Sequence, residues 1–203
     1  MRRDGQWCTF LGVWLAAMLA GGAAVWRYEL APAEVSAELP ARWPDGGAIV
    51  RVDGVATLVM LAHPRCPCTR ASLAELARLV ADTHGRVDAH VLVVRPAGAP
   101  EGWEDTDLRA RAAAIPGVRV HTDIGGEEAR RFGATASGHV VIYDPTGRLL
   151  FHGGITGARG HEGDNAGRSG ASAAIARGLA DQRSPTFGCE LADPDDVTRG
   201  SDG

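Results

Sequence analysis

The chain has 203 residues, a formal charge of −4, seven histidines and four cysteines. That length suits one domain of ordinary size beside a targeting segment, and the acidic balance without basic clusters argues against nucleic acid as a partner. All 21 basic residues are arginine, which excludes Schiff-base and P-loop lysine chemistry.

Residues 7–26, from Trp7 to Trp26, carry no charge and follow Arg2 and Arg3. A helix of that length spans the hydrocarbon core of a bilayer, and a tryptophan at each end suits the two interfaces. Residues 1–30 are therefore expected to be a retained single-pass anchor; cleavage near the small residues Ala20–Ala24 is the alternative, which would release the domain into the periplasm. The arginines before the span and Glu29, Glu34 and Glu38 after it put the N-terminus in the cytoplasm. For a bacterial chain, the domain then faces the periplasm from the inner membrane. Cys8 falls inside this apolar span.

Residues 31–47, rich in Ala, Pro and Glu, read as a tether. A short strand is expected over Ala48–Val52, then, after Asp53-Gly54, a buried central strand over Ala56–Ala62. Leu73, Leu76, Ala77 and Val80 recur at helical spacing and predict a helix over Thr69–His84, stopped by Gly85. Val87–Val94 is a second buried strand, Thr106–Ala114 a short helix, Val118–His121 a third strand and Gly126–Phe132 a brief helix. Val140–Tyr143 and Leu149–Phe151 read as a hairpin across Asp144-Pro145-Thr146-Gly147. An Ala-rich helix, Ser169–Asp181, closes the domain at about residue 185, and residues 186–203 read as an acidic tail. This order predicts an α/β fold: a mixed sheet with parallel crossovers and a C-terminal antiparallel hairpin, flanked by helices.

The chemistry concentrates in His63-Pro64-Arg65-Cys66-Pro67-Cys68-Thr69-Arg70, where the central strand meets the first domain helix. A helix N-terminus favours thiolate over thiol, and Arg65 and Arg70 add positive charge, so Cys66 is the expected attacking thiol. Cys68 is a resolving thiol or a second soft ligand. With Cys189 the exported part holds three cysteines. An odd count in an oxidising compartment leaves one for a metal, a partner or exchange. Cys189 is either a remote resolving thiol or a free thiol of the tail. His63 is a proton shuttle, a ligand or a partly buried strand-end residue.

The segment Gly153–Gly170 has seven glycines in eighteen residues around Arg159, His161, Glu162, Asp164 and Asn165. It reads either as a lid, partner contact or second metal site, or as a glycine-rich connection with Asn165 or Ser169 capping the last helix.

On the cysteines at the end of the first long strand and the late hairpin with Tyr143-Asp144-Pro145-Thr146-Gly147, the chain resembles the thioredoxin superfamily. Within it, the resemblance is to the membrane-tethered thiol-disulfide oxidoreductases of the TlpA type and the bacterial proteins labelled RedB. It covers roughly residues 45–185 and implies a thioredoxin-like fold over 48–185, no cofactor, and protein thiols or disulfides of the periplasm as partners. Two departures stand out. The family's Cys-x-x-Cys is here Cys66-Pro67-Cys68, one residue shorter. Where the family places a cis-proline facing the active site, the loop Ser137-Gly138-His139 has Gly138.

That resemblance also implies that Ser137, Gly138 and His139 form the substrate loop and that His139 approaches the cysteines. Cys66, Cys68 and His139 together would suit copper, as Cu(I), or Zn(II) by ligand softness. The alternative function is thus a Cu(I)-binding metallochaperone resembling the Sco-type proteins, whose Cys-x-x-x-Cys is also not matched. A peroxiredoxin-type peroxidase is disfavoured, because Val59 and His63 stand where its proline and Ser or Thr would precede Cys66.

Overall fold

The computed structural model describes residues 2–33 and 39–191, apart from the side chains of residues 2–6 and of Cys8. It divides into two compact units between Ala31 and Pro32. The first is the helix α1 (Arg2–Glu29), and its stretch Thr9–Glu29 is long and apolar enough to cross a membrane.

The second unit contains β1 (Ala56–Ala62), α2 (Thr69–Thr83), β2 (Val87–Arg95), α3 (Asp107–Ala113), β3 (Val118–Ile124), α4 (Glu127–Arg131), β4 (His139–Tyr143), β5 (Leu149–Gly154), α5 (Ala166–Arg177) and β6 (Gln182–Ser184). The six strands form one sheet in the order β3-β2-β1-β4-β5-β6. β1 runs parallel to β2 and antiparallel to β4, β2 is parallel to β3, and β4 and β5 make the expected hairpin. All seven residues of β1 are buried because it is central and covered on both faces.

Alternation along the strands divides the core in two. Leu58 and Met60 of β1 pack with Leu73, Leu76 and Leu79 of α2, Leu108 of α3 and Ala171 and Ala174 of α5 on one face. Val59 and Leu61 pack with Phe132, Val141, Tyr143, Ile49 and Leu191 on the other.

Several boundaries differ from the sequence reading; β3 and β5 each run three residues further, to Ile124 and Gly154. Ala48–Val52 is not a strand: Ile49 plugs the second core while Val50 is exposed, and Arg51 donates to the Pro145 carbonyl at 3.0 Å. α2 ends one residue early because His84 adopts a left-handed φ of 50°. α5 starts earlier, at Asn165, whose side chain accepts from the Arg168 N–H, and stops at Gly178, whose φ of 65° supplies the usual left-handed cap. Beyond it, Gln182–Ser184, which the sequence reading placed in the domain without assigning an element, forms β6 parallel to β5. Residues 186–191, assigned to the acidic tail, pack into the domain, with Thr186, Phe187 and Leu191 buried. The remainder of that tail, residues 192–203, lies outside the described residues.

The glycine-rich segment is tied to α2 through a buried carboxylate. Glu75 has no exposed surface, accepts from the Gly163 N–H at 2.8 Å, pairs with Arg168 Nε at 2.7 Å and also meets Arg78. Replacing Glu75 by Gln leaves Arg168 without its full countercharge. Glu75→Gln is expected to lower unfolding free energy by about 3 kcal/mol, as breaking a buried ion pair does, read as a lower urea midpoint.

Candidate functional site

β1 delivers the chain at Ala62 into a tight turn. The Cys66 N–H donates to the His63 carbonyl (3.2 Å) and the Thr69 N–H to the Cys66 carbonyl (3.0 Å), so both cysteines lie in the turn that opens α2. Cys68 is the residue preceding the helix and makes no side-chain capping bond, which leaves its thiol for other work.

The loop before β4 closes over this turn. The Ser137 hydroxyl accepts from the His63 N–H (2.9 Å) and shares a hydrogen bond with the Thr69 hydroxyl (2.7 Å). Gly138 has a φ of 84° and its N–H donates to the Leu61 carbonyl at 2.8 Å. A proline there could adopt neither that φ nor that bond, so this loop excludes the proline that the resemblance led one to expect. A Cβ at Gly138 would also stand 2.6 Å from Ser72 Oγ.

The C-terminal segment then lies antiparallel on this loop. The Ser137 N–H donates to the Cys189 carbonyl at 2.8 Å and the Leu191 N–H to the Thr135 carbonyl at 2.9 Å, with Ala136 bridged to Glu190. That pairing brings Cys189 Sγ to 2.7 Å from Cys66 Sγ across 123 residues of sequence. The remote thiol that the sequence left undecided between partner and bystander is thus in contact with Cys66.

Electrostatically the three thiols are unequal. Cys66 is pulled down to about 5, first by the hydrogen bond from the Cys189 side chain and then, against its burial, by the N–H groups of Cys189 and Cys68 and the Thr69 hydroxyl. Cys68 is raised by burial and by the Cys66 charge, while Cys189 is raised strongly by donating to Cys66 and by burial. At neutral pH the site therefore holds one thiolate, on Cys66, between two thiols.

Arg65 and Arg70, expected to supply the positive field, point elsewhere. Arg65 lies over the Trp103 ring at 4.3 Å, and Arg70 pairs with Asp107 at 2.8 Å. The cation that reaches the cysteines is Arg159, from the glycine-rich segment. It hydrogen-bonds and acts by charge on Cys68, acts by charge on Cys189, and its Nη1 donates to the Gly188 carbonyl at 2.6 Å. The sequence flagged that segment as anomalous but assigned Arg159 no role; no local signal joins it to cysteines far away in the chain. Cys66 also differs from expectation in exposure. An attacking thiol is expected to be accessible, yet Cys66 is 1% exposed, whereas Cys68 and Cys189 are half-buried.

His63 Nδ1 accepts from the Arg65 N–H, and its ring packs edge-on to Trp103. His139 is buried, meets the Thr186 hydroxyl through Nδ1 at 3.2 Å and stacks on His152. Among the described residues no three Cys, His, Asp or Glu side chains converge into a metal-holding group, so Cys66, Cys68 and His139 do not assemble as a ligand set.

The sheet order and the cysteine-bearing turn at the start of α2 define a thioredoxin-like fold. The chain is similar to an uncharacterised conserved protein from Geobacillus kaustophilus, with 19% identity, 81% of this chain and 93% of that one covered, and a TM-score of 0.58. It is also similar to a hypothetical protein from Sinorhizobium meliloti 1021, with 22% identity, 79% and 93% coverage, and a TM-score of 0.53. Both are likenesses of fold. No family model matches the chain, and no curated protein matches it.

The contact between the C-terminal segment and the loop has no slack at Gly188, where a Cβ would stand 1.8 Å from the Ser137 carbonyl oxygen. Gly188→Ala should lift the segment and speed iodoacetamide labelling of Cys66 in the reduced native protein at least about tenfold, since its thiolate becomes accessible. A second expectation concerns acid. Burial, with the His152 charge second, holds His139 down to about 4. The unfolded chain therefore takes up this proton first, and stability present above the ordinary value of about 6.5 is lost as pH falls through about 4. In a Cys66→Ser background, where the thiolate is absent, the further change His139→Gln should flatten the decline of urea midpoints across that window.

Proposed function

We propose that this protein is a membrane-tethered thiol-disulfide oxidoreductase whose domain faces the periplasm and acts on protein thiols or disulfides. The observation that carries this reading is the 2.7 Å approach of Cys66 and Cys189 sulfurs at a helix start that favours the Cys66 thiolate. Two thiols in contact, one ionised, are what reversible disulfide chemistry requires, because thiolate is the nucleophile of exchange and the better leaving group. The closing bond runs between Cys66 and Cys189. Cys68, the second thiol of Cys66-Pro67-Cys68, is separated from Cys66 by one residue and is the subsidiary partner, since so small a ring constrains a disulfide's Cα separation and torsion. The apolar helix α1 supplies the tether, and the arginines before its uncharged core orient the domain outward.

The test is a redox titration of the full-length chain in detergent, with Cys8→Ser to silence the span, equilibrated in glutathione buffers, alkylated and mapped by mass spectrometry. A reversible Cys66–Cys189 disulfide is expected, with Cys66→Ser abolishing oxidation or reduction of a model protein substrate and Cys189→Ser slowing it more than Cys68→Ser. Copper is quantified on the same samples. Thiols that stay reduced while holding one Cu(I) would move the assignment to the carrier reading.

A further inference from the structure

The three thiols do not present themselves to the outside equally, and the difference bears on which sulfur a partner reaches. Cys66 is 1% exposed, beneath the segment that carries Cys189, while Cys189 is half-buried and is followed by the exposed Glu190. Resting on the exchange reading above, we propose that Cys189 is the sulfur that meets the partner protein, and that Cys66 is an internal leaving thiolate which the partner never touches.

Displacement at a disulfide proceeds in line: the nucleophile enters opposite the sulfur that leaves. Cys66 is 1% exposed within the turn that opens α2, so an incoming thiolate has no access to its sulfur. Cys189 keeps exposed surface, and attack on it expels Cys66. The departing charge arrives at a place already built for it, with the N–H groups of Cys68 and Cys189 and the Thr69 hydroxyl directed at Cys66 Sγ. A thiol of depressed pKa is the faster leaving group, which favours expulsion of Cys66 over expulsion of Cys189.

The step balances as follows. A partner thiolate bonds to Cys189 Sγ, the Cys66–Cys189 bond breaks, and its electron pair leaves on Cys66. A second thiol of the partner then attacks the partner's own sulfur in the mixed disulfide and releases Cys189, which takes up a proton. The partner dithiol has become a disulfide, and two electrons have passed to the protein. Of the two protons given up, one stays on Cys189 and one goes to solvent. The partner class is a protein with a pair of cysteines; run in reverse through the same Cys189 mixed disulfide, the sequence reduces a partner disulfide.

Arg159 and Ser137 are positioning residues for this step. The Arg159 bond to the Gly188 carbonyl and the Ser137 N–H bond to the Cys189 carbonyl hold the segment so that Cys189 covers Cys66.

The experiment uses the full-length chain with Cys8→Ser, oxidised, in detergent. It is mixed with one equivalent of N-acetylcysteine as the thiol probe, quenched in acid within the first turnover and mapped by peptide mass spectrometry. The expected result is probe disulfide on Cys189 in at least about tenfold excess over Cys66 and Cys68 together. Gly188→Ala, which uncovers Cys66, should shift probe toward Cys66. Probe found mainly on Cys66 or Cys68 in the otherwise unaltered chain overturns the proposal and leaves the exchange reading standing. A chain that forms no Cys66–Cys189 bond under oxidising buffers overturns both.

Discussion

The site depends on one residue, Ser137. Its hydroxyl holds the end of β1 through the His63 N–H and the start of α2 through the Thr69 hydroxyl, and its N–H holds the C-terminal segment through the Cys189 carbonyl. Each bond contributes roughly 1 kcal/mol, yet together they fix three chain segments that are distant in sequence to within hydrogen-bonding distance. The depression of the Cys66 pKa follows from that convergence, because its principal cause is a donor on the C-terminal segment and not on its own helix. A helix N-terminus alone would supply only its backbone N–H groups.

Two elements outside the usual turn and helix complete the arrangement. The glycine-rich segment, pinned to α2 by the buried Glu75, carries Arg159 to the thiols and to the Gly188 carbonyl. Gly138, with its left-handed backbone, donates a hydrogen bond to β1 that a proline could not make. The result is a cysteine turn roofed by the segment Gly188–Leu191. Exposure is thereby transferred from Cys66 to Cys189, and the order of attack and departure follows from which sulfur is covered.

Much of the fold was legible locally. β1, α2, β2, α3, α4 and the β4–β5 hairpin lie where hydrophobic periodicity and turn residues put them, because each buries a continuous apolar stripe or alternates across a sheet. The misplacements fall where local pattern and tertiary packing diverge. Ala48–Val52 has strand-like residues but is used as a plug, with Ile49 turned into the core. β6 is three polar or charged residues, Gln182-Arg183-Ser184, that pair only because β5 offers an open edge beside them. His139, read as part of the loop before the strand, is the first residue of β4, and its neighbours are Thr186 and His152, so no copper-ligand set forms among the described residues.

By itself the sequence determined an uncharged stretch long enough for a membrane, a mixed α/β sheet, and a cysteine pair at a strand-to-helix turn, all of which are written in neighbouring residues. Which thiol partners Cys66, which cation reaches the site and which sulfur faces outward were decided by tertiary structure alone. Those depend on Cys189 and Arg159, which are 123 and 93 residues from Cys66 in the chain. Contacts at that separation leave no periodicity or motif; they exist only once the sheet has brought Ser137 and the C-terminal segment to the end of β1.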